Sequence, residues 1–101
     1  MSLREKQLIL LDNLIYLNYT VENNKNITVS DVVTELLTTP ELFEKTITDP
    51  QFYYCNNMVN GMNPDQWKSV LKAIQSDDEL MKLKITHIVD NNDYTGRCIN
   101  F

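Results

Sequence analysis

Apolar residues recur at helical spacing along most of the chain, and the first predicted helix has an unusually wide apolar face. From Leu3 to about Asn18 the apolar side chains fall on one very broad arc. Ser2 and Glu5 have the spacing of a capping box, which marks the start of this helix. The polar residues opposite the arc are Glu5, Lys6, Asp12 and Asn13. A face this wide is typical of a helix that neighbours cover on most of its circumference, so we predict that it lies at the centre of the core.

Further helices are predicted where an N-cap residue precedes a proline or an apolar run. In chain order, these start signals are Thr28 or Ser30, Thr39-Pro40, Asp49-Pro50, Asn63-Pro64 and Ser76. Proline is favoured at the first helical position because its fixed φ suits a helix and its missing N–H is not needed there. The helix that follows Asp49-Pro50 is expected to end at Gly61. The residues predicted to share one core are Leu10, Leu14, Val33, Leu36, Trp67, Leu71 and Ile74.

After Leu83 the apolar pattern changes from helical to alternating. Leu83, Ile85, His87 and Val89 fall on one face of a predicted strand. The stretch "NNDYTG" has turn chemistry, and a second strand is expected from Arg97. We therefore predict an α+β fold that is mostly α: four to six helices packed as a small bundle over residues 2–82, followed by a C-terminal antiparallel β-hairpin over residues 83–101. Residues 1–101 are expected to form a single domain.

Composition and charge narrow the classes of function. A net charge of −5, with the nine basic residues scattered, argues against nucleic-acid binding, which needs clustered Lys and Arg. The longest apolar stretch, "LILLDNLIYL", is too short to span a membrane. Cys55 and Cys98 stand alone, which fits two reduced thiols in the cytoplasm better than a disulfide framework. The acidity is consistent with solubility and with a basic protein partner.

Candidate chemistry is sparse. His87 is the only histidine, so a Ser-His-Asp or multi-histidine metal site is hard to build, and a structural role among apolar neighbours is favoured for it. A dyad of Cys98 and His87 requires the hairpin register that places them opposite each other. Slipping by one residue pairs Ile85 with Ile99 instead, and this better apolar match is favoured. The acidic stretches are explained by helix capping and turns, and no Gly-rich phosphate loop occurs, so we expect no catalytic, cofactor or metal site.

The last residues, Arg97, Ile99 and Phe101, are a candidate interaction edge. An exposed strand presents unpaired N–H and C=O groups to any second strand. We therefore expect the hairpin to dock on the helices or to pair with another copy, which would give a homodimer through the C-terminal strand.

The segments "LREKQLILLDNLIYLNY", "TVSDVV", "WKSVLKAIQSDDELMKLKI" and "YTGRCINF" together resemble the N-terminal region of lipase-like α/β-hydrolases from Firmicutes, relatives of the class 3 lipases. In that family an R-G-T segment, a G-x-S-x-G elbow and a triad histidine follow, and none has a counterpart here. The resemblance implies a non-catalytic helical region of an ester hydrolase, inactive alone, at the front of a longer chain whose C-terminal domain is its partner. The alternative is a complete small acidic protein that binds a partner, as phage-type inhibitors and immunity proteins do.

Overall fold

The computed structural model describes residues 2–52 and 62–90, and no β-strand occurs among them. The helices are α1 (Leu3–Asn18), α2 (Val29–Thr38), α3 (Pro40–Ile47), α4 (Pro64–Gln75), α5 (Asp78–Met81) and α6 (Ile85–Asp90), with a 3₁₀ helix (Val21–Asn23) between α1 and α2. Residues 50–52 are also helical, and the rest of the helix predicted up to Gly61 lies outside the described residues. The mostly helical part of the predicted fold is confirmed.

Local capping explains where several of these helices begin. Three capping boxes are formed by Ser2 with Glu5, Thr28 with Asp31, and Asn63 with Gln66. Pro40 and Pro64 occupy first-turn positions, as predicted. The start predicted at Ser76 is wrong by one residue, because Oδ1 of Asp77 accepts the Leu80 N–H at 2.9 Å and so caps α5.

Helix α1 is the centre of the bundle, as its wide apolar face predicted. It packs against α2, α3, α4 and α6. Every residue predicted for the core is buried, and Leu14 and Leu71 have no exposed surface at all. The ring of Phe52 packs edge to face against Trp67, with ring centroids 5.3 Å apart. This contact joins the segment that follows α3 to α4.

The predicted C-terminal β-hairpin is wrong in the part that the structure describes. Residues 85–90 form helix α6, and burial follows a helical period: Ile85 and Ile88 are buried, whereas His87 is exposed. The short run fits both periods, and packing of the Ile85–Ile88 face on α1 favours the helix. The second predicted strand, with Arg97, Ile99 and Phe101, lies outside the described residues, so the homodimer through it remains a prediction.

Extended backbone does occur just before α6, but its partner is the segment that precedes α2. The Val29 N–H donates to the Leu83 carbonyl at 2.7 Å, and the Ile85 N–H donates to the Ile27 carbonyl at 2.9 Å. Thr28 and Lys84 form an isolated antiparallel bridge between these two hydrogen bonds. The bridge ties the starts of α2 and α6 together and thereby fixes how α6 lies on α1.

Candidate functional site

A cleft of about 430 Å³ opens beside the C-terminal half of α1, and we call it the Asp12 cleft. It is lined by Asp12, Tyr16, Tyr19, Thr20, Val21, Glu22 and Val89. Asp12 and Tyr16 share a face of α1 because they are four residues apart. At Tyr19 the backbone turns extended and ends the helix, so that the 3₁₀ helix with Glu22 forms the opposite wall. The volume lies in the range of small-molecule sites.

Asp12 is the most unusual residue of the cleft. It has no exposed surface, and neither carboxyl oxygen has a hydrogen-bond partner among the residues described. Burial raises the pKa of Asp12 from 3.8 to about 8, because desolvation penalises the charged form. Arg4 pairs with Asp77 at 2.7 Å, and no cation among the described residues pairs with Asp12. At neutral pH Asp12 is therefore mainly a neutral carboxylic acid.

Asn13 and Thr46, two other buried polar side chains, differ from Asp12 in having partners. The Asn13 amide donates to the Ile9 carbonyl at 2.8 Å. The Thr46 hydroxyl donates to the Leu42 carbonyl at 2.9 Å and accepts from the Asn18 amide at 2.9 Å. Buried polar groups are satisfied in this way in most proteins, and an unsatisfied one costs about 1–3 kcal/mol. Among the described residues, the buried side-chain atoms without a hydrogen-bond partner belong to Asp12 and Tyr19, and both residues line the cleft.

Tyr19 adds a second perturbed group to the cleft. Burial, and next the negative charge of Glu35 on α2, raise the pKa of Tyr19 to about 12, with a smaller effect from the charge of Asp31. The Tyr19 hydroxyl oxygen is buried and makes no hydrogen bond of standard geometry with the described residues. Clustered perturbed groups in a concave site are typical of binding and catalytic sites.

A second concavity, of about 240 Å³, lies between α2, α3 and α4, and we call it the α2–α4 groove. Its apolar lining residues are Leu36, Leu37, Pro40, Phe43, Ile47, Pro64 and Leu71. The polar lining residues are Glu44, Thr48, Asp65 and Lys68, of which all four are exposed. The groove is therefore an apolar depression whose rim carries two carboxylates and one ammonium group.

The residues singled out from the sequence do not form either concavity. His87 is exposed on α6, where its backbone N–H donates to the Lys84 carbonyl at 3.0 Å, so its predicted place on a strand face is wrong. Cys98 lies outside the described residues. The predicted strand that would have placed His87 opposite Cys98 is instead helix α6 over residues 85–90. Within residues 2–52 and 62–90, no group of three acidic, histidine or cysteine side chains could hold a metal ion.

Asp12 was missed because the sequence places it on the polar side of α1. The structure instead buries Asp12 and Asn13 completely. The signal was the width of the apolar arc, which left few positions of this helix for solvent.

No family model, curated protein or solved structure matches this chain. No helix of the described part is long and apolar enough to cross a membrane. What the fold defines is a small helical domain with one acidic, aromatic cleft and one apolar groove.

Proposed function

We propose that this chain is a non-catalytic acidic domain that binds a basic protein partner through the α2–α4 groove. The observation that carries the proposal is the groove itself, an apolar depression large enough for one bulky side chain. Elsewhere on the described surface, only Leu3 and Tyr16 expose more than half of a large apolar side chain. Buried apolar anchors supply much of the energy of protein interfaces, so the groove is the favoured docking place.

Charge decides the chemistry of the partner. The chain has a net charge of −5, and Glu44 and Asp65 line the groove beside the single cation Lys68. Complementary charge around an apolar centre steers a partner and fixes its orientation. The partner is therefore a basic segment that inserts one apolar side chain between α2, α3 and α4. The two isolated cysteines support the cytoplasm as the compartment in which the two meet.

The interpretation as the N-terminal region of a lipase-like hydrolase remains a prediction. On that interpretation the partner is the hydrolase domain of the same polypeptide. An R-G-T segment and a G-x-S-x-G elbow encoded downstream of Phe101 would support it. The described residues favour the groove and offer no hairpin through which a hydrolase sheet would continue.

Two synthetic peptides with the same central leucine test the proposal, one flanked by lysines and the other by glutamates. Fluorescence anisotropy should show binding of the basic peptide and none of the acidic one. The double variant Glu44→Lys with Asp65→Lys should weaken binding by about tenfold, since close charge pairs couple strongly across interfaces.

The matched control is Glu22→Lys with Glu79→Lys, which changes the net charge equally at exposed positions outside the groove. It should weaken binding only about twofold, because charges outside the groove make no close pair with the peptide and salt screens exposed charges. Equal losses in both double variants would reduce the effect to net charge and overturn the proposal. So would equal binding of the two peptides.

A further inference from the structure

The Asp12 cleft carries a different ligand chemistry from the groove. Its floor holds a completely buried carboxyl group without a partner, and two tyrosines and one exposed glutamate stand around it. We propose that the cleft binds the ammonium group of a small organic amine, with the ammonium on Asp12 and its carbon chain against Tyr16 and Tyr19. Nothing in the proposed protein-binding function requires this site.

The first argument is the missing partner of Asp12. A buried carboxylate needs hydrogen-bond donors and a compensating positive charge. An ammonium group supplies three N–H donors and one positive charge. When the amine binds as its cation, Asp12 releases its proton to solvent and becomes the carboxylate. The buried pair is then neutral overall, and its charge-assisted hydrogen bonds offset the desolvation of the two ions.

The second argument is the wall of the cleft. Aromatic ring faces attract cations, and tyrosines are frequent partners of ammonium groups. About half of the surface of Tyr16 (51%) is exposed to solvent. Because each Asp12 oxygen exposes less than 1 Å² to solvent, access of the ligand to the carboxyl group requires the Tyr16 ring to rotate. Val21 and Val89 provide an apolar surface for the carbon chain.

The charges around the cleft exclude other ligand classes. Glu22 lies in the lining, and Glu35 and Asp31 act on Tyr19 from α2, so an anionic ligand would be repelled. Helix α6 contributes Val89 to the lining and no described ionisable group. A bare metal ion is also excluded within the described residues, because no set of three ligating side chains exists there. The charges around the cleft therefore favour an organic cation over an anion or a bare metal ion.

Propylammonium chloride is a suitable probe, with propanol and sodium propionate as neutral and anionic comparators of the same chain length. Two-dimensional NMR of the full chain should show shifts at Tyr16, Tyr19 and Val89 with propylammonium alone. Asp12→Asn keeps the shape and removes the ionisable group, and it should weaken binding by about tenfold or more. Tyr16→Leu, at an exposed position, should weaken binding severalfold and tests the ring independently.

The pH dependence of binding distinguishes the contribution of Asp12 from that of the other residues that line the cleft. Because the ligand pairs with ionised Asp12, whose pKa in the empty cleft is about 8, affinity should rise about tenfold per pH unit from about pH 6 to about pH 8 and then level off. Calorimetry in two buffers of different ionisation enthalpy should show release of about one proton at about pH 6.

Glu79→Gln removes one exposed carboxylate elsewhere and should leave both the affinity and its pH dependence unchanged. Three results would each overturn the proposal: equal shifts with propanol, a pH-independent affinity in the parent, or undiminished binding in Asp12→Asn.

Discussion

The burial of Asp12 predicts that the protein loses stability as the pH rises through the neutral range. The pKa of Asp12 is raised from 3.8 to about 8 in the folded state by desolvation. Between these values the folded state holds a proton that the unfolded state has released. The contribution of Asp12 to the free energy of unfolding is therefore most favourable below about pH 4 and becomes less favourable as the pH rises towards about 8.

The magnitude follows from the pKa difference. One pKa unit corresponds to about 1.4 kcal/mol, so the free energy of unfolding should fall by about 4 kcal/mol between about pH 5 and about pH 8. This is a large fraction of the 5–15 kcal/mol that is typical of a domain. Asp77 acts in the opposite direction, because a hydrogen bond from the Leu80 N–H and then Arg4 lower its pKa, but this stability is lost only as the pH falls below about 3.8.

Urea denaturation at a series of pH values measures the effect. The parent should show a falling free energy of unfolding, whereas Asp12→Asn should be almost flat over the same range and equal to the parent near pH 5. Glu44→Gln, which alters an exposed carboxylate on α3, should follow the parent. Parallel curves for the parent and Asp12→Asn would show that Asp12 is ionised or solvated in the folded protein, and the reasoning would fail.

Further predictions concern the bundle and the absence of catalysis. Leu14→Ala should lower the free energy of unfolding, measured by chemical denaturation, by about 2–5 kcal/mol, because truncating a fully buried side chain leaves a cavity. Ile88→Ala should cost about as much and His87→Ala less than about 0.5 kcal/mol; the reverse order would restore a strand at 83–90. Asn63→Ala removes the cap of α4 and should cost about 0.5–2 kcal/mol by thermal or chemical melting. The purified chain should hydrolyse no short acyl ester, and turnover that disappears in Cys98→Ser and His87→Ala would revive the dyad.

Helix starts could be predicted from the sequence because capping is local. Asn63, Pro64 and Gln66 act within one turn, and the structure forms the capping box that their spacing indicates. Whether residues 83–90 form a helix or a strand could not be predicted from the local sequence alone. Ile85 and Val89 fit an alternating period as well as a helical one, whereas Ile88 fits the helical one only. The choice depends on packing against α1, which lies more than sixty residues earlier in the chain.

The position of Asp12 illustrates a second limit of sequence patterns. The pattern orders the faces of α1 from apolar to polar, but it does not say how many neighbours will cover them. Here α2, α3, α4 and α6 all pack on this helix, and the cover extends to a face that carries Asp12 and Asn13. Asn13 finds a carbonyl within its own helix, whereas the carboxyl group of Asp12 has only acceptors to offer once it is ionised.

A buried acidic side chain without a hydrogen-bond partner lowers the stability of a fold, and this supports a role for Asp12 in ligand binding. Replacing Asp12 with leucine would remove the desolvated group and fill the same core layer, so Asp12→Leu should unfold at higher urea concentration than the parent at about pH 8. Departures from the rules of stable folding are expected at functional sites, where stability and activity conflict. If Asp12→Leu is more stable and has also lost propylammonium, the residue serves the ligand. If it is more stable and binds propylammonium as the parent does, Asp12 is a tolerated defect of the core and the cleft has no use for it.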